Sequence, residues 1–346
     1  MADKPLASPT HEVDDSPEAV FELAIKNGWS DGLPIIPPTP DRVRRFVEHA
    51  KRDPQDVVCE VAPAMGKATV EKIAITAVMA GCLPMYMPVL IAAIRAMADP
   101  AFNLSGIQAT TNPAAPLIIV NGPIRNQIGL HCGRGLLGPG FRANATIGRA
   151  VRLMMLNIGG GAIPDVDKSV HAQPAKFTFC MGELEEESPW EPYHVELGFS
   201  KQASTVTVAP VEYMVNCIPQ YEDPKLVLHK LAQTMKHSPS VSTFFCKGNP
   251  VMLFNTGHAR QLAGAGYSKQ EVKRLLWQNS RISRDEWPPE MDIPFVELNI
   301  EDNHIVQYRR PEDLILLVAG GSELHVQYIT GFGIGAAVTR EVELPA

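Results

Sequence analysis

An α/β protein built from two related lobes, with a proline-rich arm at its amino terminus, is the fold this sequence predicts. Three observations predict it. Strand-like apolar runs alternate with stretches of helical period along the chain. At 346 residues the chain is longer than one hydrophobic core usually serves. And one unit occurs twice: Pro116-Leu-Ile-Ile-Val-Asn121-Gly-Pro-Ile-Arg125 and Pro250-Val-Met-Leu-Phe-Asn255-Thr-Gly-His-Ala-Arg260. Each is a proline, four apolar residues, an asparagine, a turn and an arginine-bearing helix. A duplicated α/β unit would explain both the recurrence and the length. The expected divisions are an arm over 1–56, a first lobe over 57–200 and a second over 201–346.

In chain order, residues 1–15 are polar and expected to fray. Ser16-Pro17-Glu18 starts a helix that Gly28 ends. Residues 29–40 hold four prolines and must be extended, because residues before proline avoid the helical region. Pro40 suits the first turn of a second helix. A strand is expected at 57–61, helices at 68–80 and 84–98, and extended runs at 105–111 and 116–120. The glycine-rich stretch 129–140 leads into a helix over 143–157, which Gly159-Gly160-Gly161 ends. A strand is expected at 176–181, and Val318 to Ser322 reads as a strand and a glycine turn.

A net charge of −7 with scattered basic residues argues against nucleic acid as a partner. The richest apolar run, Met85 to Met97, contains Arg95 and is short of the ~20 residues a membrane span needs. Six widely spaced cysteines without a CxxC predict reduced thiols and a cytoplasmic location. No nicotinamide, flavin or P-loop nucleotide pattern is present, which leaves the cofactor unassigned.

Chemistry is expected first at Gly133 to Arg149. Gly138 and Gly140 allow close backbone approach, and the following helix start offers free N–H groups. Arg142 and Arg149 would grip a carboxylate or phosphate, with Asn144 and Thr146 as neutral donors. Cys82 stands just before a helix start, where a thiolate is favoured, and is the predicted nucleophile or redox group. Cys132, beside His131, is a weaker rival. Along Lys176 to His194, Glu183, Glu186 and His194 would move protons near Lys176, with Trp190 as a wall. Glu185 and Glu187 are expected to face water. Thr110 and Thr111 would bring hydroxyls to the sheet edge.

Several motifs together resemble a known family: Asp31-Gly-Leu-Pro34; Ala80-Gly-Cys82-Leu-Pro84-Met-Tyr86; Gly138-Pro-Gly-Phe-Arg142-Ala-Asn144-Ala-Thr-Ile-Gly-Arg149; and Ser188-Pro-Trp190-Glu-Pro192. The resemblance covers roughly residues 20–340. It is to a bacterial family whose genes accompany or fuse with UGSC-type thiol or selenol proteins. It implies a partner with redox-active sulfur or selenium, raises Cys82, Arg142, Asn144 and Trp190, and expects small polar residues where His131 and Cys132 stand.

The expectation is therefore an enzyme, homo-oligomeric, that cleaves a small carboxylate- or phosphate-bearing molecule by lyase or hydrolase chemistry. One alternative is a non-catalytic partner subunit of a thiol or selenol protein. Another is a metal-dependent hydrolase using Glu183, Glu186 and His194.

Overall fold

The computed structural model describes residues 4–238, 240–293, 296 and 298–344. Met1 to Asp3, part of the segment expected to fray, lie outside the described residues. Residues 4–15 form no helix or strand but are tied down, the Ala7 and Ser8 amides donating to the buried Glu71 carboxylate at 2.9 and 2.8 Å.

Two helices with proline in the first turn open the fold, α1 (Pro17–Lys26) and α2 (Pro40–Ala50). The Ser16 side chain caps α1 by accepting from the Ala19 amide at 3.1 Å. Val43, Phe46, Val47 and Ala50 form an apolar stripe at helical spacing on α2, and all four are buried in the main core. Between the helices, residues 29–36 lie along the body: the Ile36 amide donates to the Met79 carbonyl, and Asn157 Nδ2 to the Trp29 carbonyl.

A hairpin of β1 (Val57–Val61) and β2 (Gly66–Thr69) leads into α3 (Val70–Ala80). Thr69 caps α3, and Gly81 at φ +87° ends it. Next come α4 (Met87–Met97) and α5 (Leu104–Ala109). The last replaces the extended run expected over 105–111. Asn103 sits at φ +57° and accepts from the Gly106 amide, while Leu104, Ile107 and Gln108 are buried on one helical face. An asparagine cap thus outweighs the β-like look of the run.

The first half of the main sheet consists of β3 (Ala115–Asn121), β4 (Cys180–Gly182) and β5 (Thr205–Cys217). Helices α6 (Ile124–Gln127) and α7 (Arg142–Asn157) connect β3 to β4, and α8 (Tyr193–Glu196) follows β4. The strand expected from Lys176 begins only at Cys180, because Pro174–Lys176 forms a 3-10 turn. The second half follows with α9 (Pro224–Lys236), α10 (Ser242–Phe245), β6 (Val251–Phe254), α11 (Thr256–Gly264) and α12 (Lys269–Asn279). A small sheet of β7 (Ile282–Ser283), β8 (Ile300–Glu301) and β9 (His304–Ile305) precedes β10 (Ile315–Val318), β11 (Val326–Gly331) and β12 (Val338–Glu341).

The strand order is β10-β6-β11-β5-β3-β4, with β12 also on β5. β3 pairs parallel with β4 and antiparallel with β5; β6 pairs parallel with β10 and antiparallel with β11. The same three-strand pattern therefore occurs twice, joined where β5 and β11 pair antiparallel. The outermost strands also meet, the Leu184 amide donating to the Val318 carbonyl at 2.8 Å. Alternate residues of all six strands, including Leu117, Met181, Ala209, Leu253, Leu317 and Ile329, fill one interior cluster. Their neighbours face outward, under α2, α3, α4 and α7 in the first half and under α9, α11 and α12 in the second. With both faces covered, these strands read as unbroken apolar runs. The halves expected as lobes share this sheet and this interior. Among the described residues, no single helix is long and apolar enough to cross a membrane.

Candidate functional site

Polar groups gather where the two halves meet. At the end of β3, Asn121 donates through Nδ2 to Glu183 Oε2 at 2.6 Å and to Glu185 Oε1 at 3.0 Å. Gly122 turns the chain at φ +82°, and a Cβ there would lie 2.1 Å from the Ala203 carbonyl oxygen, so only glycine fits. The turn delivers Arg125 on α6 to the buried side, where it is 2% exposed. Its guanidinium is 3.0 Å from both Glu185 and Glu186, donates to the Gly122 and Glu183 carbonyls at 3.1 and 2.6 Å, and lies 3.6 Å from Cys132 Sγ. Glu185, expected to face water, is instead half-buried, its side chain turned against Arg125 and the Gly122 amide. Glu187 does face solvent, paired with Arg260.

The acids differ in how they hold a proton. Burial pushes the Glu183 carboxyl up, and its Oε1 has no hydrogen-bond partner among the described residues. Burial works the same way on Glu186, but hydrogen bonds from Arg125 and Asn126 outweigh it and hold that carboxyl below its usual range. His194 is fully buried, with Nδ1 3.9 Å from Glu185 Oε1. Burial lowers its proton affinity, and neither ring nitrogen has a hydrogen-bond partner among the described residues.

Over this cluster lies a groove of about 440 Å³, within the size range of small-molecule sites. Arg125, Cys132 and Glu186 line it from the first half; Thr256 and Gly320 to Ser322 line it from the second. These residues follow the carboxyl ends of β3, β4, β6 and β10, the usual ligand position in an open α/β sheet. The segment 131–134 crosses between the halves: the Gly320 amide donates to the Cys132 carbonyl, and Gly133 bridges Gly320. Asn144 holds this segment in shape, accepting from the His131 amide and donating to the His131 and Leu136 carbonyls. Gly182 makes room for the thiol, since a Cβ there would lie 2.6 Å from Cys132 Sγ. Burial pushes the Cys132 thiol up, against the pull of Arg125.

The other predicted residues are placed differently. Cys82 is buried, its Sγ 3.3 Å from the Thr146 carbonyl, and burial pushes its thiol up to about 12. That is the setting of an inert thiol and corrects the expected nucleophile. Arg149 is not free for a ligand: it makes two hydrogen bonds to Asp31, at 2.8 and 2.7 Å, and further ones to the Leu33 and Pro34 carbonyls. Arg142 is exposed and donates to the Gly81 carbonyl. Thr146 donates to the Arg142 carbonyl. Asn144 is a clamp rather than a ligand donor, and Gly138 and Gly140 lie exposed, away from the groove. Lys176 pairs with Asp167 at 2.8 Å, far in the fold from Glu183 and His194. The lysines that enter that neighbourhood are Lys269 and Lys273, both paired with Glu196. Trp190 donates to the Tyr267 carbonyl and packs edge-on against Phe254, as part of the second half's outer core. Thr110 accepts from the Asn112 amide, and the Thr111 carbonyl from the Val170 amide, both outside the groove.

A metal held by Glu183, Glu186 and His194 does not fit this geometry. Glu183 Oε2 is engaged by Asn121 and the Tyr193 amide, Glu186 by Arg125 and Asn126. Among the described residues, no three His, Cys, Asp or Glu side chains converge as metal ligands.

Sequence reasoning missed Asn121, Arg125 and the weight of Cys132. The one available signal was the asparagine closing each recurring unit, with an arginine on the helix behind it. Compared with protein-family models, curated proteins and solved structures, the chain matches none.

Proposed function

We propose that the protein is an enzyme whose reaction takes place in the groove between the two halves, on a small carboxylate- or phosphate-bearing molecule. The observation that carries this reading is the convergence of a thiol, Cys132, and an ionised carboxylate, Glu186, on one buried guanidinium at the groove floor. Such coupled groups in a cleft are how proteins prepare acids and bases. Glu186 is the general base, kept ionised by Arg125. Cys132, which unlike Cys82 lines the groove and lies 3.6 Å from the Arg125 guanidinium, is the nucleophile, and Glu183 steadies the Asn121–Glu185–Arg125 network from behind. The substrate's anionic group is met by Arg134, a groove residue whose partner Glu323 is also exposed. A surface pair of this kind exchanges cheaply for a ligand. Bond cleavage of lyase or hydrolase type suits a base and a nucleophile acting together.

The test is a thermal-shift screen of small carboxylates and phosphate esters, followed by turnover of the hits monitored by NMR. Glu186→Gln and Cys132→Ser should each lower turnover by about 100-fold or more, and Arg134→Gln should weaken binding. Unchanged turnover in both of the first two variants would remove the groove from the chemistry.

The resemblance to partners of thiol and selenol proteins supports a second reading, in which the groove receives such a side chain beside Cys132. A binding partner that co-purifies with the wild type and with Arg134→Gln, but is lost in Cys132→Ser, would favour it.

A further inference from the structure

At the far end of β3 from the groove lies a second charged cluster that the proposed reaction does not use. Arg152 on α7 is buried, its Nη1 3.7 Å from Asp167 Oδ2 and its Nη2 3.5 Å from the Gly161 carbonyl. Lys176, half-buried with its side chain 8% exposed, pairs with the same Asp167 oxygen at 2.8 Å. The other carboxylate whose field reaches Arg152 is Asp31, and that one is committed to Arg149 by two hydrogen bonds. Among the described residues, three cations, Arg149, Arg152 and Lys176, therefore face two carboxylates, Asp31 and Asp167. A buried cluster with one positive charge in excess is costly. Burial accordingly lowers the proton affinity of both Arg152 and Lys176.

The same two side chains line a small hollow, together with Ala114, Pro116, Gly148 and Phe179. Its free volume is about 10 Å³, the order that admits one atom-sized group. The two contacts that hold the Arg152 guanidinium are both long.

We propose that this hollow binds one small anionic group, a chloride ion or one oxygen of a small molecule's carboxylate, held between Arg152 and Lys176. The anion supplies the missing negative charge and fastens the segment carrying Asp167 and Lys176 to α7 and β3. This site is separate from the groove and does not depend on the reading given for it.

Thermal unfolding of the full chain tests the idea, in sodium chloride, sodium acetate or sodium methanesulfonate at matched ionic strength. A saturable rise of about 3 °C is expected in chloride, in acetate or in both, and not in the bulkier methanesulfonate. A response to chloride alone marks a monatomic site, and a response to acetate alone marks a carboxylate site. Arg152→Gln should abolish the rise. Should that variant not fold, Lys176→Gln, which leaves two cations facing two acids, should weaken the response at least tenfold. Equal rises in all three salts, no rise in any, or an unchanged response in Lys176→Gln would each overturn the proposal.

Discussion

Asn121 and Asn255 stand at the same place in the two halves of the sheet, yet what they hold differs in kind. Each ends the first strand of its half and reaches the loop that follows the parallel neighbour. Asn121 binds carboxylates, those of Glu183 and Glu185. Asn255 binds neutral groups: the Glu323 and His325 carbonyls at 3.2 and 2.8 Å, and His258 Nδ1 at 2.7 Å. One backbone arrangement thus carries a charged cluster in the first half and a neutral latch in the second. The comparison teaches that the fold supplies two equivalent loop ends, while side-chain chemistry makes one of them ionisable and the other a wall.

The largest test of that difference is Arg125→Met. It leaves Glu185 and Glu186 without their buried cation and should cost about 3–5 kcal/mol in urea unfolding. Asn255→Ala removes only neutral hydrogen bonds and should cost about 1–3 kcal/mol. Equal losses would break the comparison.

Gly182→Ala comes next. Its methyl group would sit against Cys132 Sγ, Leu130 and Arg125, an overpacking that costs about 1–3 kcal/mol. Because the thiol must move, Cys132 should alkylate faster with iodoacetamide, read by mass spectrometry. An unchanged rate would mean that Gly182 does not seat the sulfur.

The neutral latch should also respond to acid. Burial lowers the proton affinity of His258 from the ordinary value of 6.5. Below that pH the unfolded chain therefore binds more protons at this residue than the folded one, so its contribution to stability falls as pH falls. Structurally, a proton on Nδ1 would face the Asn255 amide, whose oxygen already accepts from the His258 backbone at 2.7 Å. Hydrogen exchange at pH 5 should thus rise in 320–325, and His258→Gln should suppress that rise without altering 183–187. A rise that persists in the variant would place the acid sensitivity elsewhere.

Arg142→Ala should matter least, within about 0.5 kcal/mol, because the side chain is exposed and makes one hydrogen bond to a carbonyl. A large loss of stability or of ligand response would restore the helix start at Arg142 as a binding site.

Legibility in the sequence followed the range of the forces involved. Caps are local, so Ser16, Pro40 and Gly28 announced their helix ends. Glu183, Glu186 and His194 were readable as a group because they lie within 12 positions of one another. Arg125 and Cys132 lie some 50–70 positions upstream of them, and only the pairing of β3 with β4 brings them alongside. The anion site expected at Gly133 to Arg149 went astray for the same reason: Asp31, which takes Arg149, is 118 positions away.

What the sequence determined by itself is many of the helices and strands, their alternation and the recurrence of one strand–asparagine–helix unit, since period, capping and turn chemistry act over a few residues. Which charges meet was decided by the tertiary structure. Ion pairing and burial depend on distance in space, and a curled sheet whose outer strands touch sets those distances between residues the chain keeps far apart.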